Sequence, residues 1–472
     1  MKVLSAILLT ALSGVAAAQP GAQPAQPLAP PPTGSSATPA TPSAPDPNRP
    51  TTSSGAEILT LQRAVEIAIQ QQPTLRQSRA DLEAARGRID LAKVARNPVL
   101  ALSAQAGTQS GQTFDKNEIP AGNFNTHIEF ANLRAQANWT IYDFGQTSAN
   151  IRAAELNAEA TAATVGTTTL DIRTNVEVTF LEAVARRKLV LVAETTVKSE
   201  DGHLDQAKRF VAAGAKDPIE VAQAQSRFAN ARSALAQAQS NEAIALANLR
   251  SAIGWLSPER APVVSADWPT PSDADPDALD QLVTTARKQR PELAQLDLQI
   301  QAADATLDAA HAERRPTLSA AGDILWTPRT GNTEPDPSWA ASLTLSWNLW
   351  DGGRAAADSR IANANLASAA AQRDGLLVTL TSQIDSARSQ IVANRENVRA
   401  STEAVAAARS ELQLAEARYA QGLGSQIELT DAQTAVTTAE GNLVTAEWQL
   451  ATAWAQLHRA VAIDISKVES TR

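Results

Sequence analysis

The chain has 472 residues, a formal net charge of -9, no cysteine, four histidines and 4% aromatic residues. Disulfide scaffolds and thiolate metal sites are thereby excluded, and the acidic balance argues against nucleic-acid binding, which needs a basic face. His127, His203, His311 and His458 are scattered, and neither a phosphate-cradling glycine loop with its lysine nor a Ser, His and acid set stands out, so the sequence points away from an enzyme and calls for no cofactor.

The first twenty residues, MKVLSAILLTALSGVAAAQP, combine Lys2, an apolar run over 3–12 and the small residues Ala16, Ala17 and Ala18. These are the three parts of a secretory signal, so residues 1–18 are expected to be removed after Ala18 and the mature chain to be exported. With no later cysteine, lipid anchoring through an N-terminal cysteine is excluded. Residues 19–56 are rich in Pro, Ala, Gln, Ser and Thr, with Pro30, Pro31 and Pro32 in succession, and cannot bury a core. They read as a disordered leader, either a spacer or a dispensable tail.

The remainder is written twice. QQPTLRQSRADLEAARGRIDLAKVARNPVLALSAQ, from Gln71, matches QRPELAQLDLQIQAADATLDAAHAERRPTLSAAGD, from Gln289, with Pro73 over Pro291 and Pro98 over Pro316. WTIYDFGQTSANIRAAE, from Trp139, matches WNLWDGGRAAADSRIANA, from Trp347, setting Asp143 over Asp351 and Gly145 over Gly353. A third match places RFVAAGAKDPIEVAQAQ, from Arg209, over RYAQGLGSQIELTDAQTAV, from Arg418. The chain is a tandem duplication of a unit of about 208 residues, with a first repeat over 57–256, a linker over 257–277, a second repeat over 278–463 and a tail over 464–472.

Within each repeat the hydrophobic period switches. Leu133, Ala135, Ala137, Trp139 and Ile141 alternate with Arg134, Gln136, Asn138 and Thr140, and Trp339, Ala341, Leu343, Leu345 and Trp347 alternate with Ala340, Ser342, Thr344 and Ser346. This period of two predicts strands over 132–142 and 338–350, each with one apolar and one polar face, and less regular partners over 99–109 and 316–326. About ten residues, apolar on one side with Trp near the ends, suits either an outer-membrane barrel strand or a soluble sandwich.

Everything else reads as helix, with hairpins over 146–254 and 353–462. Leu377, Ile384, Ile391, Val398, Val405, Leu412 and Tyr419 recur at sevens, with Ala387, Ser401, Ala408 and Ala415 three residues behind their leaders. Beyond the glycines of 422–424 the same spacing returns at Leu429, Val436, Leu443, Leu450 and Leu457, accompanied by Ala432, Ala439, Ala446 and Ala453. Two such helices joined by a short turn make an antiparallel coiled coil. The first repeat echoes it through Val176, Val190, Val197, Leu204 and Val211 before its turn and Val221, Phe228 and Leu235 after it. At about 1.5 Å per residue, helices over 146–213 and 353–421 each extend roughly 100 Å.

Four strands are too few to close a transmembrane barrel, so the chain must pool strands with copies of itself. The doubled order of strand pairs and long hairpins, the DFG and DGG turns at Asp143 and Asp351, and the RF…G and RY…G helix tips resemble the outer-membrane efflux protein family, the TolC-like channels. The resemblance covers the chain from about Ile58 to Ala462 and rests on that doubled order more than on any one motif. It implies a mostly helical fold with a β-barrel part: a homotrimer with a twelve-stranded barrel in outer-membrane lipid and a helical periplasmic tunnel. It also implies a periplasmic adaptor and an inner-membrane transporter as partners, with passive conduction and no catalysis.

The resemblance further implies a gate just after the helix tips, where Tyr419 matches a tyrosine and Glu428 and Asp431 match two acids that form rings across the trimer. Glu220 holds the equivalent acidic position in the first repeat. Gly424 stands where a clasping arginine is found in the family, and Lys216 on the other tip is the candidate to replace it. Gly214, Ala215, Gly422 and Leu423 match adaptor-contact tips, and the glycines would terminate helices in any case. On spacing alone Glu428 and Asp431 share one helical stripe, which also suits an ordinary solvated flank of a coiled coil.

Overall fold

The structure is a computed structural model that describes residues 58–112, 125–255, 263–265, 267–268, 276–327 and 336–462. The expected signal peptide, Pro-rich leader and tail, and much of the linker, lie outside the described residues. The chain divides into two units, Met1–Gly55 and Ala56–Arg472, and every described residue belongs to the second.

The first repeat runs β1 (Ile58–Leu59), α1 (Leu61–Gln71), α2 (Pro73–Val94), β2 (Val99–Gln112), β3 (Asn125–Tyr142), α3 (Gln146–Ala212) and α4 (Pro218–Ile253). After β4 (Val263–Val264), the second repeat gives α5 (Leu279–Gln289), α6 (Pro291–Ala312), β5 (Thr317–Thr327), β6 (Asp336–Ser346), α7 (Arg354–Ala420) and α8 (Gln426–Val461). Pro73 and Pro291 explain the matching breaks between α1 and α2 and between α5 and α6. Each forces its predecessor, Gln72 or Arg290, into extended backbone and then opens the next helix at its first position, where no N–H is needed.

Four strands form one antiparallel sheet in the order β2-β3-β5-β6, so the central β3–β5 pairing joins the two repeats. Register sets Leu102, Ala135, Ile324 and Trp339 in one row. That face exposes Leu100, Leu102, Leu133, Trp139, Ile324, Trp326, Trp339, Leu343 and Leu345. Nothing in the described chain pairs with the outer edges of β2 and β6.

Strand limits differ from those expected. β2 extends past 109 and β3 starts before 132, because their ladder continues to Gln112↔Asn125 after the apolar alternation has faded, and backbone pairing does not need it. β5 starts at Thr317 rather than at Pro316, which has no N–H to donate. β6 ends at Ser346, four residues short of the expected 350, because Ser346 already pairs with Thr317 and no strand faces Trp347 onward.

Both α3 and α7 run for 67 residues, roughly 100 Å at the helical rise. Their starts explain the DFG and DGG turns. Asp143 accepts from the N–H groups of Gly145 (3.2 Å) and Thr147 (2.7 Å), and Asp351 from those of Gly353 and Ala355 (both 2.8 Å). Gly145 and Gly353 turn the chain at φ of +108° and +93°, a region costly for other residues. The Asp351 carboxyl is held below the usual carboxylate range by the Ala355 N–H and then by that of Gly353.

The α7–α8 seam buries Ile384, Ile391, Val405 and Tyr419 against Leu429, Val436, Leu450 and Leu457, with alanines at the small positions. Leu377, Val398, Leu412 and Leu443 complete it as partly buried members. Hairpin is joined to hairpin by a polar seam between α3 and α8: Ser199 Oγ donates to Gln433 Oε1 (2.6 Å), Thr196 meets Thr437 (3.1 Å) and Lys188 pairs with Glu447 (3.0 Å). The expected linker is partly tied down, since β4 pairs in parallel with β1 and the Trp268 indole donates to Glu447 Oε2 (2.5 Å). Among the described residues no helix is long and apolar enough to cross a membrane.

Burial pushes the Glu177 carboxyl on α3 up to about 7. Between its ordinary value of 4.5 and about 7 the folded chain keeps a proton that the unfolded chain has released, so this group makes stability fall as pH rises through that window. Glu177→Gln is therefore expected to raise the thermal midpoint of the detergent-solubilised protein clearly at pH 8 and little at pH 5. A gain of equal size at both pH values would contradict a half-buried carboxyl that keeps its proton in the folded chain.

Candidate functional site: the tips of the two long hairpins

Each tip is built by a helix end, a left-handed glycine and a capped restart. Gly214 (φ +69°) and Gly422 (φ +73°) let the N–H groups of Ala215 and Leu423 reach back to the carbonyls of Phe210 (3.0 Å) and Arg418 (2.9 Å). Ser425 restarts α8 by accepting from the Glu428 N–H (3.1 Å), and Pro218 opens α4. Leu423, Ile427 and Ile219 project from the tips, each at least 62% exposed, beside exposed Gly214, Ala215 and Gly422.

Between the tips lies a polar contact within an apolar wrap. Tyr419, 2% exposed, donates its hydroxyl to Glu220 Oε2 (3.0 Å), linking the end of α7 to the start of α4. Lys216 Nζ sits 3.3 Å from Glu220 Oε1 and 5.3 Å from the Tyr419 ring centre. Phe210 meets the same ring edge-on at 5.7 Å, and Gln426 Nε2 donates to the Glu220 carbonyl (3.3 Å). Burial, then the bond to Glu220 and its charge, push the Tyr419 phenol up to about 12, so it stays a donor throughout the physiological range.

The two acids beyond the second tip differ in setting. Glu428 Oε1 pairs with Arg418 Nε at 3.0 Å, and both side chains are about half exposed. Asp431 is exposed, lines a groove of about 630 Å³ with Ala400, Ser401, Ala404, Thr434 and other small residues of α7 and α8, and has no ion pair or hydrogen bond among the described residues. They flank the buried Leu429 and Ala432.

Gly424 sits in a tight spot, since a Cβ there would lie 3.0 Å from the Tyr419 nitrogen and 3.2 Å from Arg418 atoms. The positive partner of Glu428 is instead Arg418, in the last turn of α7. Lys216 bridges Glu220 on its own tip rather than either acid of the second. Sequence reasoning missed Arg418, Phe210 and Gln426. The first two were signalled by the repeated RF and RY pairs, whereas Gln426 stands opposite Pro218 in the repeats and carried no signal.

A family model described as outer membrane efflux protein matches residues 64–255 and 282–462, one match per repeat. Protein CyaE of Bordetella pertussis is 28% identical over 270 residues, which are 57% of this chain and 55% of that protein. The chain thus spans about half the length of the curated relative it matches. Among solved structures, a membrane protein from Pseudomonas aeruginosa superposes with a TM-score of 0.72 at 22% identity over 85% of this chain and 93% of its own. CusC gives 0.73 at 18% identity over 85% and 91%. The CmeC outer membrane channel of Campylobacter jejuni gives 0.71 at 15% over 87% and 88%. At these identities the structures establish the fold, and the family match across both repeats establishes the membership: the chain belongs to the outer membrane efflux protein family.

Proposed function

We propose that the chain is the passive exit duct of a tripartite efflux or type I secretion system. Three copies pool their four-stranded sheets into one twelve-stranded barrel, and their long helices form a tunnel through the periplasm. A periplasmic adaptor docks at the tips around Gly214, Ala215, Gly422 and Leu423, and an inner-membrane transporter supplies the energy. The observation that carries this reading is the four-stranded sheet with an apolar outer face and two unpaired edges. Such edges cannot stand in lipid and are satisfied when identical sheets close on one another.

The proposed gate consists of Tyr419, Glu220 and Lys216, which close one tip on the other, of Glu428, which is balanced by Arg418, and of Asp431, whose threefold copies gather negative charge at the tunnel mouth. The protein is expected to fractionate with outer membranes and, once purified, to migrate unheated at about three times the mass of the mature chain and to conduct in planar bilayers. Extraction without detergent as a single chain would contradict the duct. Replacing both Glu428 and Asp431 by alanine is expected to raise single-channel conductance or weaken cation preference, because it removes like charges from a shared axis. If both quantities stay unchanged, the two acids are not part of the gate.

A further inference from the structure

On the sheet face opposite the apolar one two opposite charges meet in contact, while register places a third charged residue, Asp336, on the same face at the far end of β6. Arg134 on β3 donates from Nε to Asp323 Oδ1 on β5, a contact between the two repeats across the central strand pairing. Register places Arg134 in a row with Ser103, Leu325 and Ser338, and Asp323 in the adjacent row with Ala101, Gln136 and Ala340. The rows between these and the strand feet, where Thr317 pairs with Ser346, hold no charged residue on this face. Both charged side chains keep access to water, at 52% and 27% exposure.

We propose that Arg134 and Asp323 cancel each other's charge in the middle rows of the barrel lumen, so that these rows pass solutes without regard to the sign of their charge. This rests on the trimeric duct described above, in which the polar face lines the lumen. A lone guanidinium on each chain would place three like charges around one aqueous passage and exclude cations. A lone carboxylate would do the reverse. Paired in contact, the two leave only a short dipole, whose field decays faster than that of a net charge and is further screened by salt. The pairing is diagonal, joining neighbouring rows, and it requires both repeats: Arg134 comes from the first and Asp323 from the second. Sign selectivity is then left to the tunnel mouth and to the barrel's far end, where register places Asp336. The chemical class of solute suited to this barrel is correspondingly wide: neutral, anionic and cationic molecules alike.

The test is the potassium-to-chloride permeability ratio, taken from reversal potentials across planar bilayers in a KCl gradient at low ionic strength. It is run on the full chain in a D431N background, which removes the uncompensated carboxylate proposed for the tips and leaves Glu428 balanced by Arg418. D323N is expected to lower the ratio, and R134Q to raise it, each by about twofold or more, since uncompensated lumenal charges act over about a Debye length of 10 Å at 0.1 M salt. The R134Q/D323N double variant and the charge-swapped R134D/D323R variant are expected to return to the background ratio. Single variants that conduct with an unmoved ratio overturn the proposal, as does a double variant displaced as far as a single one. If the single variants fail to assemble, the charge swap decides, because it keeps the pair: a background ratio supports neutralisation and a displaced one overturns it. A wild-type chain that inserts into the bilayer without conducting overturns the duct itself, and neutralisation with it, whereas a conducting wild type with unresponsive variants overturns neutralisation alone.

Discussion

Single-channel conductance is expected to rise several-fold when Tyr419→Phe is combined with Glu220→Gln. The Tyr419 hydroxyl donates to the Glu220 carboxylate at 3.0 Å, with Phe210 and the Lys216 ammonium covering the ring. A hydrogen bond to a charged acceptor contributes about 1.5–3 kcal/mol. Removing about 2 kcal/mol from a closed state shifts a closed–open equilibrium by roughly thirtyfold in each chain. Tyr419→Phe alone leaves Glu220 bridged to Lys216 at 3.3 Å, so its effect should be smaller than that of the pair. Conductance indistinguishable from wild type in the double variant would show that this contact does not hold the tips together.

The second large effect is on stability. Ile384→Ala is expected to cost about 2–5 kcal/mol and to lower the thermal midpoint of the detergent-solubilised protein, because it leaves a cavity in a close-packed seam. Ile384 is fully buried on α7 among Leu380, Ala387, Leu450, Ala453 and Leu457, and Leu282 and Leu293 of the short helices close the same cluster. A site shared by four helices has little freedom to collapse, which places the cost towards the upper end. Val378→Ala, on the exposed side of the same helix, serves as the control and should change stability by less than about 0.5 kcal/mol. Equal losses at the two positions would mean that the heptad seam is not the core of the hairpin.

Much of this protein was legible because its elements are long and periodic. Seven-residue spacing from Leu377 to Tyr419 and from Leu429 to Leu457 marked the buried face of α7 and α8, and two-residue alternation around Trp139 and Trp339 marked the sheet. The duplication doubled each of these signals, which is why paired features such as Asp143 and Asp351 could be singled out before their capping role was known. Less legible were the strand ends. These follow from which residues face a partner, as at Ser346 and Thr317, rather than from side-chain pattern.

At the tips, the family resemblance singled out Tyr419, Glu220, Lys216, Glu428 and Asp431, but not who touches whom. Lys216 was the expected substitute for an arginine at Gly424, yet it is held by Glu220, and Arg418 is the residue that reaches Glu428. Those pairings depend on how two hairpins from different repeats lie side by side, a relation about 200 residues apart in the chain that no local period encodes.

By itself, then, the sequence determined the repeats, the helix lengths, the buried heptad face and the apolar face of the strands, because each is a local repetition of residue types read against a fixed backbone period. Only the tertiary structure decided that β3 pairs with β5 across the repeats, that Arg134 thereby meets Asp323, and that Tyr419 meets Glu220. Such contacts arise where distant segments are brought into register by packing, and their chemistry resides in distance and burial, which the order of residues alone does not carry.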